Sequence, residues 1–125
     1  MYTPLKSICK FEGRVVAVWD TKTSRHMVLL EPFSYQDSNG GVWIAPIGSV
    51  IDGASIPRIL WTAISSPFCG KYRRASVIHD VFCKNKVLPH DLVHKMFLEA
   101  MLTDGVKPIK AKLMYLAVVT FGPKW

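Results

Sequence analysis

Apolar and polar residues change their period once along this chain, near position 52. Residues 14–20 (Arg-Val-Val-Ala-Val-Trp-Asp), 26–35 and 42–51 are rich in β-branched and aromatic side chains, which suit a pleated, half-buried surface. Between the last two lies Asp37-Ser38-Asn39-Gly40-Gly41, and Asn and Gly accept the positive φ that a tight turn needs. The pattern predicts an antiparallel hairpin or a three-stranded meander over residues 14–51. From residue 55 onward the spacing is helical. Ser55 can cap a short helix over residues 56–65, with Pro57 tolerated in its first turn. Residues 73–84 carry Ala75, Ile78 and Phe82 on one face, and Pro89 starts a helix to about residue 103 with Val93, Phe97 and Ala100 inward and Gly105 as its stop. A last helix is predicted over residues 108–121, with Ile109, Leu113, Leu116 and Thr120 on one stripe and Gly122-Pro123 at its end. The expected fold is therefore α+β: a small antiparallel sheet from residues 11–51 packed against three to four helices.

A length of 125 residues fits a single domain, 1–125, and leaves no room for a second core. Half of the residues are hydrophobic, which argues against disorder. The net charge of +7 biases the chain toward acidic partners. Charge alone does not make a nucleic-acid binder, and no reading motif accompanies it, so nucleic acid is not an expected partner. Cys9, Cys69 and Cys83 are odd in number and widely spaced, with no Cys-x-x-Cys pair. A disulfide scaffold or zinc ribbon is not expected, and reduced cytosolic thiols are. Residues 1–11 lack an apolar core of the kind a signal peptide needs, so secretion by that route is not expected. The longest apolar run, residues 113–121, is about half of a membrane span, and a buried helix accounts for it better. Trp19, Trp43, Trp61 and Trp125 show no regular spacing and read as core or core edge.

Three features could carry chemistry. Asp52-Gly53-Ala54-Ser55-Ile56-Pro57 lies where the last strand hands over to the first helix, a junction that holds a carboxylate on a rigid frame. The plainer reading is that Asp52 and Ser55 cap the helix. His79-Asp80 lies inside the second helix, with His79 beside the apolar face and Asp80 about 100° further round, at the border or in solvent. Imidazole beside carboxylate suits a divalent metal or acid–base work, whereas a lone His on an apolar face is more often a satisfied core residue. The third is Pro89-His90-Asp91-Leu92-Val93-His94, where His90 and His94 share a helix face at i, i+4. Its plainer reading is a polar first turn, with Asp91 favoured by the helix dipole. His79 and Cys83 also stand at i, i+4, but Cys83 beside Lys84 reads as a packing thiol. Basic residues Arg58, Lys71, Arg73, Arg74, Lys84 and Lys86 flank the His-Asp pair, to hold an anion or offset nearby carboxylates, or as a solvated face.

On these residues the chain resembles a phage and prophage family known as domain-of-unknown-function family 1353. The resemblance rests on Asp52 to Pro57 after a strand, Trp61, a Pro67 to Gly70 loop, His79-Asp80, the segment before Phe97 and a helical tail from Tyr115. It covers roughly residues 11–122. Where the family pattern has Asp three positions before the Phe, this chain has His94, with Asp91 one turn earlier. The resemblance implies a phage context and groups Asp52, Ser55, His79 and Asp80 as a set, but it implies no activity.

Two functions follow as expectations. In the first, a metal-dependent hydrolase acts on peptide, amide or phosphoester bonds. Asp52, His79 and His94 (or Asp91) hold a divalent ion such as zinc, manganese or magnesium. Asp52, Ser55 and Asp80 are then catalytic, Asp80 orienting His79 or acting as base toward a metal-bound water. In the second, the protein is a non-enzymatic virion, tail-assembly or host-interaction component. Its Asp/His cluster is then a structural network. Either way the expected location is the host cytoplasm or the phage particle, with phage or host proteins as partners.

Overall fold

The computed structural model describes residues 9–19, 26–52, 56–57, 60 and 70–125. Six short strands, β1 (Lys10–Glu12), β2 (Ala17–Trp19), β3 (Met27–Leu29), β4 (Phe33–Gln36), β5 (Val42–Ala45) and β6 (Val50–Ile51), form two antiparallel sheets of three. Three helices follow: α1 (Arg73–Asn85), entered through a 3-10 turn at Gly70–Tyr72, then α2 (His90–Thr103) and α3 (Pro108–Phe121). The α+β arrangement is thus the one that the change of period predicts.

The sheet differs from a simple meander. Its orders are β1-β4-β5 and β2-β3-β6, so the strands of the two sheets interleave along the chain. The apolar segments 26–35 and 42–51 each break into two strands that go to different sheets. Pro32, between β3 and β4, has no N–H to give a ladder. Between β5 and β6, Gly48 at φ 87° and the Ser49 N–H to Pro46 O bond of 3.2 Å close a turn. The predicted hairpin is present as β4–β5, with Tyr35 opposite Trp43 and Phe33 opposite Ala45. Its turn is held by the Asp37 carboxylate, which accepts from Asn39 N at 2.9 Å, Gly41 N at 2.8 Å and Trp43 Nε1 at 2.8 Å. Gly40 supplies the positive φ there. Phe33 and Tyr35 of β4 and Trp43 and Ala45 of β5 point into the core, while Val42 and Ile44 point out. Glu99 of α2 secures this hairpin: it accepts from the Tyr35 hydroxyl at 2.8 Å, Ser38 N at 3.1 Å and the Ser38 hydroxyl at 2.7 Å.

α1 is the central element, packed on α2, β5 and β6. Ala75 and Ile78 are in the core as the periodicity implies, and Phe82 meets Trp43 edge-on at a ring separation of 4.9 Å. Because α1 is covered on several sides, Ser76, His79, Asp80 and Cys83 are buried as well. On α2, Val93, Phe97 and Ala100 face inward as expected, and Gly105 at φ 84° follows the helix end. α3 corrects the sequence reading. Ala111, Met114 and Val118 are its buried residues, while Ile109, Leu113 and Leu116 are 71%, 61% and 51% exposed and Thr120 is exposed too. The helix is apolar nearly all round, so period alone could not tell which stripe faces inward. Among the tryptophans, Trp43 is buried, Trp125 half-buried and Trp19 exposed; Trp61 lies outside the described residues. The helix expected over residues 56–65, with its Ser55 cap, also falls mostly outside them, although Ile56 itself is buried in the core. No helix among the described residues is long and apolar enough to cross a membrane.

Candidate functional site

His79 and Asp80 leave α1 about 100° apart, and in a helix covered on several sides this sends them to two different clusters. The His79 ring, 0% exposed, points at α2. It stacks on Phe97 at 4.3 Å between ring centroids, and its Nε2 lies 2.9 Å from His94 Nδ1 and 3.5 Å from Cys83 Sγ. His94 Nε2 stands 3.0 Å from Pro123 O, at the end of the chain that follows α3. That carbonyl can only accept, so His94 carries its proton on Nε2 and presents the Nδ1 lone pair to His79, which must donate from Nε2. Both tautomers follow from one backbone oxygen. Burial, and then the neighbouring His94, hold His79 well below the usual histidine range; burial also lowers His94 against the opposing effect of the Pro123 bond. Burial pushes the Cys83 thiol up to about 12.

Asp80 turns to the sheets. It is 1% exposed, not at the border or in solvent as its helical position suggested, because β6 packs against α1 there. Its Oδ2 accepts the backbone N–H of Asp52 at 3.1 Å. Lys84, one turn along α1, reaches Asp80 Oδ2 at 3.3 Å, Asp52 Oδ1 at 3.1 Å and Val50 O at 2.9 Å. His26 Nε2 lies 3.8 Å from the other Asp52 oxygen. One ammonium therefore joins two carboxylates and the end of β6. Burial raises the Asp80 carboxyl above its ordinary value, with Lys84 opposing and Asp52 adding to the rise.

This geometry gives a test of what Asp80 contributes. Asp80→Asn keeps an oxygen for the Asp52 N–H and removes a buried charge, so it should change the unfolding free energy by less than about 1 kcal/mol. Asp80→Ala leaves that N–H without its acceptor and should cost about 2–3 kcal/mol in urea unfolding. Equal losses in both variants would show that the charge, and not the acceptor, matters.

The structure thus brings His79 to His94 and Asp52 to Asp80. Among the described residues, the third ligand-capable group beside the two histidines is Cys83, which the sequence reading took for a packing thiol. The Sγ, Nε2 and Nδ1 atoms of this trio lie within 4.8 Å of one another, all in buried residues. His90, the i, i+4 partner of His94, instead places Nδ1 2.9 Å from Trp125 O, with the Trp125 indole donating to Leu88 O at 2.7 Å. Ser55 lies outside the described residues. Asp91 is exposed. Sequence reasoning missed His26, and of Lys84 it read only that the basic residues could offset nearby carboxylates, not the bridge between Asp52 and Asp80. The i, i+4 spacing of Asp80 and Lys84 was the one available signal for that bridge. Of the flanking basic residues, Arg74 pairs with Asp104 at the end of α2, its Nε 3.0 Å from Asp104 Oδ2, and does not approach the His-Asp pair through that bond.

Residues 27–118 match a family model described as Protein of unknown function (DUF1353). The chain is similar to the uncharacterized protein y4jT of Sinorhizobium fredii (strain NBRC 101917 / NGR234), 47% identical over 97 residues that make up 78% of this chain and 29% of the relative. It is also similar to the uncharacterized protein y4iH of the same organism, 41% identical over 100 residues, 80% of this chain and 42% of the relative. The chain spans less than half the length of these two relatives. No solved structure matches it significantly.

Proposed function

We propose, for a chain that belongs to the family of proteins of unknown function DUF1353, a non-enzymatic role as an assembly or host-interaction module of phage type. Its Asp52 and Asp80 hold the sheet to α1, His79 and His94 hold α1 to α2, and its outer helix docks a protein partner. The observation that carries this reading is where the chemistry-bearing groups are spent. His79, Asp80 and His94 are no more than 1% exposed, and each is engaged by another part of the same chain. A reacting centre needs a path for substrate, whereas a buried and satisfied polar network fixes how elements meet.

The outer face of α3 supplies the docking surface. Ile109, Leu113, Leu116 and Phe121 are between 51% and 75% exposed there. Lys107, Lys110, Lys112 and Lys124 accompany them, and no acid occurs after Asp104. The partner that fits is a protein with an apolar groove rimmed by carboxylates. A second copy fits worse, because two such faces would bring lysines together.

A metal-dependent hydrolase remains the second reading, with Asp52, Ser55 and Asp80 catalytic and Asp52, His79 and His94 around zinc, manganese or magnesium. Asp52 favours it, as a carboxylate that is partly open and beside His26. The test combines activity with binding. Wild type should turn over no amide or phosphoester substrate with any of the three ions. Leu113→Glu with Leu116→Glu should keep the wild-type melting temperature, since both positions face out, and lose affinity for the partner recovered with the intact protein. Turnover that vanishes in Asp52→Asn would install the hydrolase reading. A double variant that unfolds, or binds the partner as well as wild type, would remove the docking face.

A further inference from the structure

We infer that His79, Cys83 and His94 bind one zinc ion inside the protein, joining α1 to α2 through the ion. The inference does not rest on the docking role, which uses the opposite side of α3. A tetrahedral zinc with Zn–N of about 2.0–2.1 Å and Zn–S of about 2.3 Å needs edges of about 3.3 Å between two nitrogens and about 3.6 Å between nitrogen and sulfur. The His79 Nε2 to Cys83 Sγ edge is 3.5 Å and the His79 Nε2 to His94 Nδ1 edge is 2.9 Å. The first already has the length an ion requires, and the second must open by about 0.4 Å. Two of the donors are fixed at i, i+4 on α1, where side chains stand one above the other.

A separate observation concerns orientation. His94 gives its Nε2 proton to Pro123 O, the outer hydrogen bond that ligating imidazoles usually make, and this turns the Nδ1 lone pair inward. A thiolate and two imidazoles select zinc over magnesium and manganese, which prefer oxygen donors. Proton balance is simple. Cys83 releases one proton to solvent on coordination, and the His79 proton moves from Nε2 to Nδ1, which exchanges the His79–His94 hydrogen bond for two bonds to the ion. Among the described residues no fourth donor joins this group, and water or a small anion can complete the tetrahedron. This ligand set contains Cys83 in the place where the sequence suggested Asp52.

The test uses the whole chain without a histidine tag, stripped with chelator and titrated with zinc chloride, then with cobalt chloride as a visible substitute. One zinc per chain should bind and raise the melting temperature. The cobalt form should show tetrahedral bands together with a thiolate charge-transfer band. Cys83→Ser, close in size to the native residue, should abolish that band and weaken zinc binding by more than the roughly 10–100-fold that loss of an outer partner costs. Cys9→Ser and Asp52→Asn should each bind as wild type. Should His79→Ala fail to fold, Cys83→Ser and His94→Gln, checked by circular dichroism, decide the matter. Absence of stoichiometric uptake, cobalt binding without a thiolate band, or full affinity in folded Cys83→Ser would overturn the inference. Loss of binding in Asp52→Asn with retention in Cys83→Ser would overturn it in favour of the oxygen-bearing set.

Discussion

Lowering the pH from about 7 to about 5 should strip the metal-free protein of much of its stability, with the melting temperature falling by on the order of 10 °C. His79 and His94 are the cause. Burial keeps both folded-state pKa values below the ordinary 6.5. In the unfolded chain each imidazole takes up a proton as the pH drops past 6.5, while in the folded chain neither does until a lower pH. The unfolded state therefore binds more protons in that window. The stability is present above the unfolded value and lost as the pH falls toward the folded one. Each group contributes at most about 1.4 kcal/mol per pH unit, and only between its unfolded and its folded value. Asp80 has the opposite sign. Its raised folded pKa means that the folded state holds a proton the unfolded state has released above 3.8, so its contribution returns as the pH falls through its folded value. Thermal melts carried down toward about pH 4 should accordingly show a steeper acid limb in Asp80→Asn, since the offset from Asp80 is gone. A shallower one is expected in the His79→Gln, His94→Gln double variant. A wild-type transition that stays flat from about pH 7 to about pH 5 would contradict the buried neutral pair.

The second large effect is expected from His79→Ala in metal-free protein, with a loss of about 3–4 kcal/mol and a melting temperature lower by roughly 10–15 °C. Two costs add. The ring stacked on Phe97 leaves a cavity between α1 and α2, in a helix pair where little can collapse. The His94 Nδ1 also loses its donor, and Pro123 O prevents the ring from exchanging its proton to the other side without stranding that carbonyl. His79→Phe separates these costs, since it restores most of the volume and leaves His94 unpaired. It should recover about half of the loss. If His79→Ala melts within a few degrees of wild type while a function is lost, the histidine is a working residue and not a brace.

Where the sequence could be read and where it could not follows from which forces were local. The β4–β5 hairpin was legible because its turn chemistry lies in five consecutive residues, and Asp37 with Gly40 does there what such residues usually do. The bounds of α2 and α3 were legible from Pro89, Gly105, Pro108 and Gly122, all local punctuation. Sheet order was not, since pairing β1 with β4 and β3 with β6 depends on partners beyond any local window. The inward stripe of α3 was hidden because its composition is apolar on both sides. His79 and Asp80 were legible as a pair worth attention, yet their division between α2 and the end of β6 depends on α1 being enclosed. Periodicity reports one face and cannot report enclosure. Cys83 was read as a packing thiol and is buried in the core, and its i, i+4 relation to His79, also legible, sets its Sγ 3.5 Å from His79 Nε2.

The interleaving of the two sheets has a consequence in time. β4–β5 can close as soon as residue 45 is made, because its loop is short and its turn is preformed. β1 must wait for β4, more than twenty positions later, and β3 cannot be completed until β6 has emerged, by which point the chain is at residue 51. The three-residue link from β3 to β4 carries the chain from one sheet to the other, so an error of register in either strand is passed across it at once. Refolding should therefore be slow for a chain this short and dominated by one phase, with the hairpin protected from hydrogen exchange before the outer strands β1 and β2.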